Sequence, residues 1–245
     1  MGQEGIGVGE RVDFQGRHVR RFRNEPAVEQ ELVRDFFGGQ PGFYVDVGAN
    51  DPVVDSQSWH LEQIGWTGLL VEPDPDCCTR LRGQRKGIVV QKACSSPSNA
   101  GRDLLLRRAG PHSTVEDAPI ALGVAVPQDT VAVPCDTLDT ILDAHGVQPG
   151  FGLLSMDIEG HELAALEGLD LPHWRPRLVL LEDHVTHQRK HRRMCELGYQ
   201  LVLRTGLNSW YVPRSDAFTH SFTASLERLR KYWLGLPLRR LRYAR

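Results

Sequence analysis

From about residue 40 to residue 213, short apolar runs alternate with stretches whose apolar positions recur at helical spacing. The runs Phe43–Val47, Gly68–Val71, Ile88–Val90, Val131–Val133, Leu153–Met156, Leu178–Leu181, Leu201–Leu203 and Trp210–Val212 predict strands. Helices are predicted near Trp59–Ile64, Pro75–Arg82, Leu138–His145, Glu162–Leu166 and His187–Leu197. A further helix opens at Pro26, with Ala27-Val28, Leu32-Val33 and Phe36-Phe37 on one face, and Gly38-Gly39 and Pro41 end it. Strands that are apolar throughout and separated by helices fit a mostly parallel sheet covered on both faces. In such sheets ligands bind at the carboxyl ends of the strands, where the strand order switches.

Three segments depart from this alternation. Residues 1–24 are rich in Gly and Arg and read as a loose lead-in, so that 1–40 forms an N-terminal lead-in and helix ahead of a domain spanning 41–213. Residues 95–130 are rich in Pro, Ser, Asp and Gly with weak periodicity; a loop this long reads as a substrate lid, another binding segment, or a disordered stretch. The tail, 214–245, becomes basic: from Ser225 onward it has seven Lys or Arg residues against Glu227 alone. Its Leu226, Leu229, Trp233 and Leu236 fall at helical spacing. Such a basic amphipathic helix can meet an anionic membrane or a protein partner, or pack on its own domain with a solvated basic face.

Composition narrows the classes. Of 245 residues, 40% are apolar and 24% charged, which is ordinary globular usage. The 29 basic and 31 acidic residues give a net charge of −2, against a dedicated nucleic-acid binder. No apolar run approaches the ~20 residues of a membrane span, and no secretory signal opens the chain. Five cysteines without a C-x-x-C pair read as reduced thiols, so a cytoplasmic enzyme is expected.

The most informative segment runs from Phe43 to Asp51, where a buried strand enters a Gly48-Ala49 turn that lets backbone approach a ligand. Twenty-four residues beyond Gly48, the next strand ends in Glu72-Pro73. A carboxylate at that strand tip can accept both hydroxyl hydrogens of an adenosine ribose. The G-x-G-x-x-G turn that seats a pyrophosphate is missing, as is the phosphate loop of nucleotide triphosphatases. Asp46 beside the turn suits a cofactor with an ammonium group. S-adenosylmethionine meets these requirements.

Farther on, Asp157 and Glu159 sit two apart as one strand ends, and Glu182 and His184 repeat the arrangement after the next, with Asp183 between. Neighbouring parallel strands would bring these carboxylates and imidazoles into one crevice, where oxygen-rich chemistry suits Mg²⁺.

The strings Val45-Asp46-Val47-Gly48-Ala49-Asn50, Val71-Glu72-Pro73, Leu138-Asp139, Met156-Asp157-Ile158-Glu159-Gly160-His161-Glu162, Leu181-Glu182-Asp183-His184 and Gly198-Tyr199 occur in the order seen in the FkbM family of S-adenosylmethionine-dependent methyltransferases. The chain resembles that family from about Val28 to Pro213, most specifically in D-x-E-G-H-E. The resemblance implies an α/β, class I methyltransferase (Rossmann-like) fold, with a mostly parallel seven-stranded sheet and helices on both faces. It also implies O-methylation of a small molecule such as a polyketide, or of a sugar or glycolipid. Asp46, Gly48, Asn50, Glu72 and Pro73 would then surround the cofactor, with Ala93 and Cys94 along the adenine and Asp157 facing them.

Macrolide-sugar O-methyltransferases of a related family look similar at the second half of the site. Carried over, that likeness implies Asp157, Glu182 and Asp183 as metal ligands and His161 as base beside Glu159. The spacing differs by one residue, which makes His184 a rival base. Two positions depart from the FkbM pattern: Pro52 stands where Gly is usual, and Ser155 where Lys is common. Oligomeric state stays open, with a homodimer common among similar enzymes. Nucleic-acid amino-methylation is disfavoured, because the Asn/Asp-Pro-Pro-aromatic string after the fourth strand is missing. A non-catalytic scaffold on the same fold, or action on another macromolecule, stays open at this point.

Overall fold

The computed structural model describes residues 26–110, 112–115, 129–218, 226 and 229–237. Its main sheet has seven strands: β1 (Phe43–Val47), β2 (Thr67–Val71), β3 (Ile88–Val90), β8 (Leu153–Met156), β9 (Leu178–Glu182), β10 (Tyr199–Thr205) and β11 (Asn208–Pro213). They lie in the order β10-β11-β9-β8-β1-β2-β3. Pairing is parallel from β3 through β9, and β11 runs antiparallel to both its neighbours. The sheet is therefore mixed, with β11 as its single reversed strand. The reversal follows from the tight connection Thr205-Gly206-Leu207-Asn208, in which Gly206 takes a positive φ of 51°.

Alternation along the strands sends side chains to two apolar layers. Val45, Val47, Leu69, Val71, Val179 and Leu181 pack with residues of α4 (Leu138–Ala144), α5 (Glu162–Glu167), α6 (Leu171–Trp174) and α7 (Arg189–Glu196). On the opposite face, Tyr44, Leu70, Leu153 and Leu180 meet α1 (Pro26–Phe36), α2 (Trp59–Glu62) and α3 (Pro75–Gln84). Helix α3 starts where the sequence signals it: Pro75 is the first helical residue, and the Asp74 carboxylate caps the N–H groups of Asp76 and Cys77. Among the described residues, no helix is long and apolar enough to cross a membrane.

Two expectations change here. Val131–Val133 belongs to β7 (Thr130–Asp136), which joins a second sheet instead of the main one. That sheet is ordered β4-β7-β5-β6, with β4 (Ala93–Cys94), β5 (Asp103–Arg107) and β6 (Thr114–Val115). The expected loop over 95–130 thus carries strands; residues 111 and 116–128 of it lie outside the described residues. The physical reason is a private core: Ala93, Leu106, Val115, Val133 and Cys135 pack together on one side of the small sheet. Its strands alternate buried and exposed positions, unlike the doubly buried runs of the main sheet.

Candidate functional site

A cleft of about 860 Å³ opens over the carboxyl ends of β1, β2, β8 and β9, at the switch in strand order. Its first half is assembled by the turn after β1. Gly48 has φ +86°, and a Cβ placed on it would stand 1.9 Å from the carbonyl oxygen of Asp157. Only glycine permits both that conformation and that approach. Asn50, at φ +45°, then turns its N–H onto Glu72 Oε2 at 2.9 Å, while the Asp74 N–H reaches Glu72 Oε1 at 2.8 Å. The Glu72 carboxylate is thereby fixed at the tip of β2. Burial pushes its pKa up to about 7, against the pull of those two N–H groups.

Pro52 does not break the turn. The Asp51 carboxylate accepts the N–H groups of Val53 and Val54, and the Pro52 carbonyl accepts from Arg85 Nη1 at 3.2 Å. Arg85 is the centre of a buried network. It pairs with Glu62 at 3.1 Å and donates to Ser56 Oγ at 3.1 Å and Ser58 Oγ at 2.8 Å. The Ser58 hydroxyl in turn donates to Asp46. Asp46 shares the Tyr44 face of β1 and reaches the cleft wall from there, its carboxyl raised chiefly by burial. Pro73, Ala93 and Cys94 also line the cleft.

The second half is acidic. Asp157, Glu159, His161 and Glu182 all line it. Burial, together with the adjoining Glu182 and Glu159 carboxylates, holds the Asp157 carboxyl well above its ordinary range. Glu159 adopts φ +50°, an uncommon conformation for a residue with a side chain. The other side chains are each tied. His161 Nε2 lies 2.8 Å from Ser95 Oγ, and His184 Nε2 lies 3.2 Å from Glu182 Oε1. The Glu182 contact raises the His184 pKa, outweighing partial burial. His184 is absent from the cleft wall.

Asp183 is not brought together with Asp157 and Glu182. Its Oδ1 accepts the Val185 N–H at 2.8 Å, and its Oδ2 accepts the Tyr232 hydroxyl at 3.3 Å, on the far face of the sheet. Consecutive residues on an extended chain point to opposite faces, which separates the expected Glu-Asp pair. Among the described residues, the donors that converge are those of Glu159, Glu182 and His184, within 4.8 Å of one another. With an imidazole among the three, this set suits Mn²⁺ or Zn²⁺ better than Mg²⁺.

The small sheet supplies residues that the sequence did not reveal. His112 lines the cleft, with Nδ1 at 3.0 Å from Glu159 Oε1, and Thr114 Oγ1 donates to the Glu159 carbonyl at 3.0 Å. Arg108 reaches the other wall, with Nε 2.9 Å from Asp74 and Nη1 3.3 Å from Asp76. Arg108 on one side, and His112 and Thr114 on the other, thus tie this region to both walls of the cleft. At the far end of the cleft, Glu29 of α1 accepts hydrogen bonds from Thr205 and Asn208 of the reversed hairpin.

A switch-point cleft over the strand ends of a mixed seven-stranded sheet, with an anchored acid at the β2 tip, defines the α/β class of this protein. The Methyltransferase FkbM domain matches residues 46–201, and the chain belongs to the FkbM methyltransferase family. It is also similar to the solved structure of the methyltransferase FkbM from Methylobacillus flagellatus KT, with 17% identity and a TM-score of 0.40. That likeness covers 70% of this chain and 43% of the other, so this chain spans less than half the length of that protein. No curated protein matches the chain.

Proposed function

We propose that the protein transfers a methyl group from S-adenosylmethionine to a hydroxyl of a small molecule or saccharide. The observation that carries this reading is Glu72, held by two backbone N–H groups at the β2 tip beside the Gly48 turn. Each carboxylate oxygen spends one lone pair on those bonds and keeps one, which fits two adjacent ribose hydroxyls. Carboxyl groups outnumber the cations Arg80, Lys92 and Arg108 on the cleft wall, and Glu182 and Asp51 among them are held below the ordinary carboxylate range, which favours a cationic ligand over a phosphate. Ala93 and Cys94 offer an apolar wall to a base. When bound, S-adenosylmethionine supplies an electrophilic methyl on its sulfonium.

The chain's own part is to align the acceptor and to take its proton. His161 and His184 were the imidazoles expected in that role, but the contacts now favour His112. Glu159 engages Nδ1 of His112 and leaves Nε2 as its basic nitrogen on the cleft wall. His161 has Nε2 engaged by Ser95, and His184 stands behind Glu182 with its proton held by that carboxylate. Magnesium, expected on Asp157, Glu182 and Asp183, receives no step, because Asp183 faces away.

Titration calorimetry with S-adenosylmethionine, its demethylated product and NAD tests the reading. Binding of the first two, with both weakened about tenfold to a hundredfold in Glu72→Ala, is the expected result; binding of NAD alone overturns it. Binding without methyl transfer to any hydroxylated acceptor would favour a non-catalytic scaffold.

A further inference from the structure

The C-terminal segment is anchored by Tyr232 and Leu236, while Leu226, Leu229, Trp233 and Leu234 face outward. Tyr232 is buried, with its hydroxyl 2.8 Å from Ser209 Oγ and its carbonyl accepting from Gln188 at 3.0 Å. Leu236 packs on the same core layer. The intervening chain, Leu229–Leu234, is wound as a π-helix, and Gly235 closes a bond to the carbonyl of Arg230, five residues back, at 2.7 Å. This winding departs from the α-helical spacing on which the expected stripe rests. Of that stripe, only Leu236 turns inward. Leu226 and Leu229 are exposed, and Trp233 and Leu234 keep 64% and 67% of their surface in solvent.

A tryptophan and a leucine displayed side by side cost free energy unless something covers them. Charge indicates what does. From Ser225 to Arg245 there are seven Lys or Arg residues and one acid, whereas the preceding 224 residues carry 22 basic and 30 acidic groups, a net −8. A second copy of the chain would bring one cationic segment against another. An anionic lipid surface attracts the segment, repels the acidic body behind it, and offers the half-wet boundary that tryptophan favours. We infer that the segment around Trp233 and Leu234 docks the protein on anionic membrane surfaces, with these two side chains entering the interface and the Arg and Lys of the same stretch of sequence meeting lipid phosphates. This inference rests on the tail alone and is independent of the reaction proposed above.

The test is co-sedimentation of the full chain with phosphatidylcholine vesicles, with and without phosphatidylglycerol. Trp233→Ser with Leu234→Ser is the variant of choice, because both side chains are solvent-exposed and the Tyr232 anchor is retained. Expected results are pelleting only with phosphatidylglycerol, release by high salt, and at least a tenfold loss of partitioning in the double variant. Quenching of tryptophan fluorescence by brominated lipid, abolished in Trp233→Phe, would place that ring at the interface. Three results would overturn the inference: no pelleting with phosphatidylglycerol, equal pelleting of the double variant, or a light-scattering dimer that the double variant converts to monomer without any vesicle binding.

Discussion

Gly48 passes the carbonyl of Asp157 so closely that a methyl group on it would sit 1.9 Å from that oxygen. This contact joins the turn after β1 to the turn after β8, which are the two halves of the cleft. Gly48→Ala therefore forces backbone movement at the junction as well as strain at φ +86°. The expected cost is about 3 kcal/mol or more, read as a lower denaturation midpoint, together with loss of S-adenosylmethionine binding. A variant that melts like the parent and binds normally would show that the two turns are not coupled through this contact.

Glu72 predicts a pH dependence. Its carboxyl rises from an ordinary 4.5 to about 7 through burial, yet the proposed role requires the ionised form. Affinity for S-adenosylmethionine should fall as pH drops below 7, and binding near neutrality should release protons. Calorimetry in buffers of differing ionisation enthalpy measures that release. For the ligand-free protein the sign is opposite to that of a paired carboxylate. Between pH 4.5 and 7 the folded state holds a proton that the unfolded state has lost, so this group makes stability decline as pH rises through that window. Glu72→Gln should flatten that decline. Glu72→Ala should weaken cofactor binding about tenfold to a hundredfold, the value of hydrogen bonds to a charged acceptor.

Arg85 should matter to the cleft without touching a ligand. It is buried against Glu62 and holds Pro52, Ser56 and Ser58 together. Arg85→Met leaves the Glu62 carboxylate buried without its cation, at an expected cost of about 3–5 kcal/mol. Adding Glu62→Gln should recover part of the loss. Denaturant melts of the two single variants and the double variant check this, since residues in direct contact are expected to be non-additive.

Much of this was legible in the sequence, for definable reasons. Strands β1, β2, β8 and β9 are buried on both faces, so each reads as a mainly apolar run with its acid at or next to its end: Asp46 one residue before the end of β1, Glu72 and Asp157 just after β2 and β8, and Glu182 closing β9. Gly48 and Glu72 could be placed because a turn and a strand tip fix them locally. The small sheet was less legible: β4 and β6 are two residues long, and β5 pairs with β7 across a long insertion. His112 has no local signal, because its partner Glu159 lies 47 residues away and meets it only through that sheet. Asp183 is different. The alternation that sends Leu180 and Leu181 to opposite layers applies equally to Glu182 and Asp183, so their separation was readable at the strand end.

The imidazoles around the acidic half make distinct kinetic predictions. If His112 accepts the proton, His112→Ala should lower kcat about a hundredfold or more while KM changes little, because general-base assistance is a transition-state effect. Glu159→Gln should reproduce part of that loss, since it removes the carboxylate that orients Nδ1. His184→Ala should act differently. The raised His184 pKa means that its ion pair with Glu182 adds stability at low pH, and this contribution fades as pH rises through the folded pKa, above 6.5. Its removal should therefore lower the melting temperature most under mildly acidic conditions, with a smaller effect on turnover. His161→Ala breaks the Ser95 contact at the start of α5 and should cost stability more than rate. A hundredfold loss of kcat in His161→Ala, with His112→Ala near parental rate, would move the proton acceptor to the β8–α5 turn.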